Sequence, residues 1–178
     1  MVIAVGDGGL IAELLPELDR LLDRPLITLE RVQVCKRDGA ELAGLPHLAD
    51  ADPSGLGVWQ KLMIHSGEQA RSGDTPLHHA LIRALRRSGA AGATSLRGIW
   101  GYHHGQEPHG DSFWQLRRRV PVLTVVVDTP QRIRRWYPRV DAVTAEAGLV
   151  TSEIVPAFRA TGSGATHGNL SLGDLGDT

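Results

Sequence analysis

Cysteine and aromatic residues are scarce in this chain, and neither sign of charge is in excess. A single cysteine, Cys35, excludes an internal disulfide and a site built from several thiolates. Aromatics make up only 4% of the 178 residues, so any core must be aliphatic: Leu, Val, Ile and Ala. Nowhere do eighteen apolar residues run together, which excludes a membrane-spanning helix. The opening Met1-Val-Ile-Ala-Val-Gly-Asp-Gly8 has no basic leader before a long apolar stretch, so no secretory signal is expected. Nineteen basic against twenty acidic side chains give a formal charge of −1. That balance argues against a whole-surface grip on nucleic acid or anionic lipid. A cytoplasmic protein is the expectation.

Two compositional breaks divide what is there. Residues 37–57 are rich in Gly, Pro, Asp and Ala, show no sustained period and read as a linker. Residues 161–178 are small, polar and glycine-rich, and read as a disordered tail. Neither stretch can bury enough apolar surface to offset the entropy of ordering it.

The segment between them, residues 58–160, reads as one complete domain. Trp59 to His65 is a candidate strand. Asp74-Thr75-Pro76 offers a helix N-cap with proline in the first turn, and Leu77, Ala80, Leu81, Ala84 and Leu85 follow at helical spacing. Gly89 stands where a left-handed cap is wanted. Thr94 to Trp100 reads as a second strand, followed by a polar loop from Gly101 to Asp111. Val120 to Val127 is almost continuously apolar and β-branched, as a strand buried on both faces would be. Asp128-Thr129-Pro130 repeats the cap signal, and Ile133, Trp136, Tyr137, Val140 and Val143 line one helical face. Pro138 inside that helix predicts a kink. Val150 to Phe158 closes the set as a strand. The order β-α-β-β-α-β is the α+β, ferredoxin-like arrangement, with two helices on one face of a four-stranded antiparallel sheet.

Residues 1–36 look like half of that unit again, as strand, helix and strand. Val2-Ile-Ala-Val5 is apolar, and Leu10, Leu14, Leu18, Leu21 and Leu22 form a helical stripe. Leu26-Ile-Thr28 matches Leu149-Val-Thr151, and Leu15-Pro-Glu-Leu-Asp19 matches Tyr137-Pro-Arg-Val-Asp141. A half unit exposes an apolar helix face and strand edges, so it needs a partner surface. The alternative is an upstream first half absent from this chain.

Gly89-Ala-Ala-Gly-Ala-Thr-Ser-Leu-Arg-Gly-Ile-Trp-Gly-Tyr102 resembles the signature of the PII-like proteins of domain-of-unknown-function family 190. Gly67-Glu68, Pro76-Leu77, Pro121 to Asp128 and Gly148-Leu-Val-Thr151 are further matches. The resemblance implies a PII-like ferredoxin fold, assembled as a ring-shaped homotrimer, to which the N-terminal half repeat is an addition. It also implies clefts between subunits that take a small anionic effector, with adenine nucleotides the leading candidates. A mobile loop after the second strand would report occupancy to a regulated membrane transporter or enzyme. The chain departs from the family pattern in its N-terminal half repeat, in Gln69-Ala70-Arg71 after Gly-Glu, and in extra loop histidines.

Three constellations are candidates for chemistry. Thr94, Arg97, Gly98 and Gly101 sit at the mouth of the loop, where glycine admits a phosphate close to the backbone and arginine offers a forked donor. The competing reading is that the glycines merely let the chain leave the sheet. Arg117 and Arg119 share one face of a strand and could neutralise the same phosphates, or simply guard an edge. His103, His104 and His109 could bind a divalent metal, although their spacing is unspecific and a solvated loop explains them better. Neither a classical nucleotide fingerprint nor a catalytic set emerges, so no cofactor is assigned and no enzyme is expected. A metal-binding regulator is the runner-up, and a nucleotide hydrolase or transferase is third.

Overall fold

The structure, a computed structural model, describes residues 1–51, 57–102, 108–110, 120–161 and 164–167. In chain order the elements are α1 (Gly8–Leu21), β1 (Gln33–Arg37), β2 (Ala40–Glu41), β3 (Trp59–Gly67), β4 (Arg71–Ser72), β5 (Thr75–Pro76) and α2 (Leu77–Arg87). They continue as β6 (Ala93–Arg97), β7 (Trp100–Gly101), β8 (His109–Gly110), β9 (Pro121–Asp128), α3 (Pro130–Val143), β10 (Leu149–Val155), β11 (Phe158–Thr161) and β12 (Gly164–His167). Met1–Arg31 and Val32–Thr178 are separate compact units.

In the larger unit, alternation along two central strands sets the layers. Gln60, Leu62, Ile64 and Ser66 of β3 are buried, as are Val122, Thr124, Val126 and Asp128 of β9. Leu62, Ile64 and Val126 pack with Leu77, Leu81 and Leu85 of α2 and Ile133, Trp136 and Val140 of α3. Each such side chain taken from water contributes roughly 1.5–3 kcal/mol. The opposite face carries Met63, His65, Leu123, Val125 and Val127, all half-buried.

The sheet order is β2-β1-β10-β3-β9-β6, and every neighbour is antiparallel. Within it, β10-β3-β9-β6 with α2 and α3 is the expected ferredoxin-like β-α-β-β-α-β unit. A further strand, β1, lies along the outer edge of β10, later in the chain than the strand expected from Leu26. Lys36 anchors it: its Nζ donates to Asp141 Oδ1 at 2.6 Å and to the Asp141 carbonyl at 3.0 Å, joining β1 to α3.

Several local expectations change. Asp74 does not cap α2; Thr75–Pro76 pairs with Arg71–Ser72, and Leu77 N donates to the Ala70 carbonyl at 2.8 Å. The backbone of that short hairpin does the work of a capping side chain. α3 runs from Pro130 to Val143 with Pro138 inside it. The second strand ends at Arg97 rather than Trp100, because Trp100 and Gly101 pair instead with Gly110 and His109.

The smaller unit holds α1, whose N-cap Asp7 accepts from Leu10 N at 3.0 Å. Its leucine stripe is open, with Leu10, Leu14 and Leu21 exposed. Val2–Val5 and Leu26–Thr28 are not strands, and the strand after α1 comes later, at Gln33–Arg37. A strand exists only where a neighbour completes its ladder; Leu26 and Leu29 are exposed, whereas β1 has β10. Part of the stretch read as a linker is tied to the larger unit. Arg37-Asp38-Gly39-Ala40 turns β1 into β2, and Arg134 donates to the Leu48 carbonyl and Asp50. In the expected tail, Gly164–His167 pairs antiparallel with Phe158–Thr161.

Candidate effector site at the loop mouth

Antiparallel pairing of β6 with β9 sets Arg97 opposite Val122, at the edge of the sheet where the chain leaves for the loop. Gly98 N donates to the Pro121 carbonyl at 2.7 Å, which holds the two strand ends together. A Cβ on Gly98 would lie 2.6 Å from Pro121 Cγ, and one on Gly101 would lie 3.1 Å from it. Close packing against a proline ring is therefore a sufficient reason for glycine at both positions. The β7–β8 ladder begins immediately after, so residues 100–101 and 109–110 form the base of the loop.

The neighbouring strand end contributes a carboxylate. Glu68 follows β3, and its backbone N donates to the Val120 carbonyl at 2.9 Å. Its side chain meets Arg97, with Nη2 to Oε1 at 2.7 Å. The pair is asymmetric: the Arg97 side chain is 54% exposed and that of Glu68 only 16%. The guanidinium is thus oriented by a mostly buried acid while its outer edge stays open to solvent, leaving donors for a second anion.

Two polar atoms beside this pair are buried without a hydrogen-bond partner among the described residues: Glu68 Oε2 and His78 Nδ1. Burial pushes the His78 pKa below its usual value, and the His79 and Arg97 charges push it the same way against the opposing pull of Glu68. His78 is accordingly neutral at pH 7, with one nitrogen that accepts and one that donates. Its ring meets His79 edge-on, centroids 4.5 Å apart. Buried polar atoms are normally satisfied, so two orphans around one oriented arginine describe a site able to take a ligand's own polar groups.

The fold does not gather all the expected residues. Thr94 pairs with Val125 on the face opposite the helices, while Ser95 Oγ meets Thr124 Oγ1 at 2.8 Å on the helix side, the side of Arg97. Arg117 and Arg119, and His103 and His104, lie outside the described residues, and His109 is described only in its backbone. Among the described residues no group of three or more His, Cys, Asp or Glu side chains could hold a metal ion. Glu68 and His78 escaped sequence reasoning. Gly67-Glu68 and Pro76-Leu77 stand out as motifs, but no spacing links Glu68, or His78 after Leu77, to Arg97; only the convergence of β3, α2 and β6 does.

Residues 59–157 match the domain-of-unknown-function family 190 profile, described as an uncharacterized ACR. The chain belongs to that family. It is a PII-like family, in agreement with the sheet order and the two helices. Among its members, a UPF0166 protein of Aquifex aeolicus (strain VF5) is 29% identical over 94 residues, which is 53% of this chain and 88% of the relative. The profile match takes in Glu68, His78 and Arg97, and leaves Met1–Arg31 and β1 outside it.

Proposed function

We propose that this family member is a PII-like, non-enzymatic regulator that binds a small anionic effector, with adenine nucleotides the first candidates. The observation that carries this reading is the half-exposed Arg97 oriented by Glu68 next to two unsatisfied buried polar atoms. Arg97 would take the anion, and Glu68 and His78 would take hydrogen-bond donors of the same ligand. The site lies where the 101–112 loop leaves the sheet, so occupancy would be felt by the loop. Leu96, Ile99, Trp100 and Tyr102 are exposed beside it, apolar surface that a neighbouring subunit would cover to make a cleft. A non-catalytic role fits the lone thiol, because burial pushes the Cys35 pKa up to about 11 and keeps it protonated and unreactive at neutral pH.

A thermal-shift screen of nucleotides tests the reading, since a ligand that binds only the folded chain raises Tm by mass action. Arg97→Ala should weaken the effector found by tenfold or more; because it also leaves the mostly buried Glu68 carboxylate without its partner, the variant's own Tm should fall, and affinity is compared on protein that circular dichroism shows to be folded. Unchanged affinity in that variant would remove Arg97 from the site. Turnover of the nucleotide would replace a sensor with an enzyme, and stabilisation only by zinc, nickel or copper would favour the loop histidines.

A further inference from the structure

Away from the loop mouth, a trough runs between the C-terminal end of α2 and the outer side of α3. It consists of two adjoining cavities of about 330 and 280 Å³ that share Arg87 and Ser88. Arg132 and Arg135 line the first, over Trp136, and Arg139 lines the second. Among the described residues no carboxylate lines either one. Arg132, Arg135 and Arg139 follow i, i+3, i+7 spacing, which aligns them along one face of α3 over roughly 10 Å.

Helix electrostatics account for only part of this cluster. Arg87 lies in the last turn of α2, where the helix dipole favours a cation. Arg132 lies instead in the first turn of α3, where the dipole disfavours a cation and no acid offsets it, and Arg134 and Arg135 follow in the second turn. Two of the three are compensated. Arg132 donates to the Gly89 carbonyl at 2.6 Å and stands 3.6 Å from Asp128; Arg134 is held by Leu48 and Asp50. Arg135 and Arg139 have no carboxylate partner among the described residues. With a formal charge of −1 for the whole chain, this concentration is local rather than a general basic surface.

We propose that the trough is a second anion site, distinct from Arg97, which takes a compact oligophosphate. Its volume is that of a small-ligand pocket, but such pockets are mostly apolar, whereas this one presents guanidiniums. Planar forked donors match phosphate oxygens, and several together require a ligand with several charges. Trp136 is only 1% exposed, so the floor offers no aromatic platform for a nucleobase to stack on. The phosphate chain is therefore the recognised part, whether free or carried by a nucleotide.

Isothermal titration of the full chain with sodium tripolyphosphate, at constant ionic strength, tests the proposal. Saturable binding is expected, weakened tenfold or more in the double variant Arg135→Ala/Arg139→Ala and unchanged in Arg97→Ala. The double variant Arg135→Lys/Arg139→Lys should lose less, because it keeps charge but not the fork. Circular dichroism establishes that each variant is folded. If ATP binds with the same dependence on Arg135 and Arg139, the source is a nucleotide's phosphate tail; if only tripolyphosphate does, it is a free oligophosphate. The proposal is overturned by absence of saturable binding, or by an unchanged double variant. It is equally overturned if Arg97→Ala alone abolishes tripolyphosphate binding, or if an Asp/Glu hexapeptide binds more tightly than tripolyphosphate. Because the two arginine sets differ, failure here leaves the loop-mouth site standing, and the reverse also holds.

Discussion

Asp128 shows how a residue with a conventional sequence signal serves a different purpose in the fold. The Asp-Thr-Pro run makes it part of a helix start, yet Thr129 is the N-cap of α3 and no side chain caps that helix. The Asp128 carboxylate, 1% exposed, accepts instead from Thr129 N at 2.9 Å, Ala91 N at 3.0 Å and Trp136 Nε1 at 3.4 Å, with Arg132 Nε 3.6 Å away. It thereby joins the end of β9, the first turns of α3 and the connection after α2. Asp128→Ala would leave the Ala91 amide and the indole N–H unpaired in the interior and remove the acid beside Arg132. Urea denaturation should show a loss of about 3 kcal/mol, as a lower midpoint with an unchanged slope. Ala91 lies 37 residues upstream, so neither periodicity nor capping rules could nominate this role.

Among the elements, the β1–β2 hairpin depends most on a single residue. Asp38 and Gly39 both adopt positive φ, 47° and 81°, the two-residue turn that Asp-Gly favours because its twist suits the flanking strands. A Cβ on Gly39 would stand 2.3 Å from the Ala145 carbonyl oxygen, so backbone blocks it as well as φ. Gly39→Ala should therefore lower stability by about 1–3 kcal/mol, measurable as a lower Tm. The turn falls in the stretch that reads as a linker, and the strand before it is expected earlier, from Leu26, because the pairing shift between Val34 and Lys36 breaks the two-residue period at Cys35. The central strands and both helices of the larger unit were legible, since β3 and β9 bury alternate residues and α2 carries leucines at helical spacing. In the candidate site, Arg97 draws notice in the sequence from its glycine-flanked motif. Glu68 and His78 do not, because side chains from three elements become neighbours only through sheet order.

For the whole molecule, the helix-free face of the sheet bears on the proposed assembly. Met63, Leu123, Val125 and Val127 line it half-buried, and Leu96 is exposed beside them. Multi-angle light scattering at micromolar concentration should report an oligomer, with a trimer expected, and a stable monomer would contradict it. Face-to-face assembly of this kind leaves the rims of the sheet to behave independently. One rim is stepped, since β2 pairs only Lys36 and Arg37 of β1 and β1 pairs only Leu149–Ser152 of β10, so no long edge is left open there; the other ends in the five-residue β6. For lengthwise strand addition the larger unit is thus nearly monofunctional, in the sense a polymer chemist would use. Two copies joined rim to rim through β6 would terminate one another, and a growing chain of sheets would lack the second reactive end it needs to propagate.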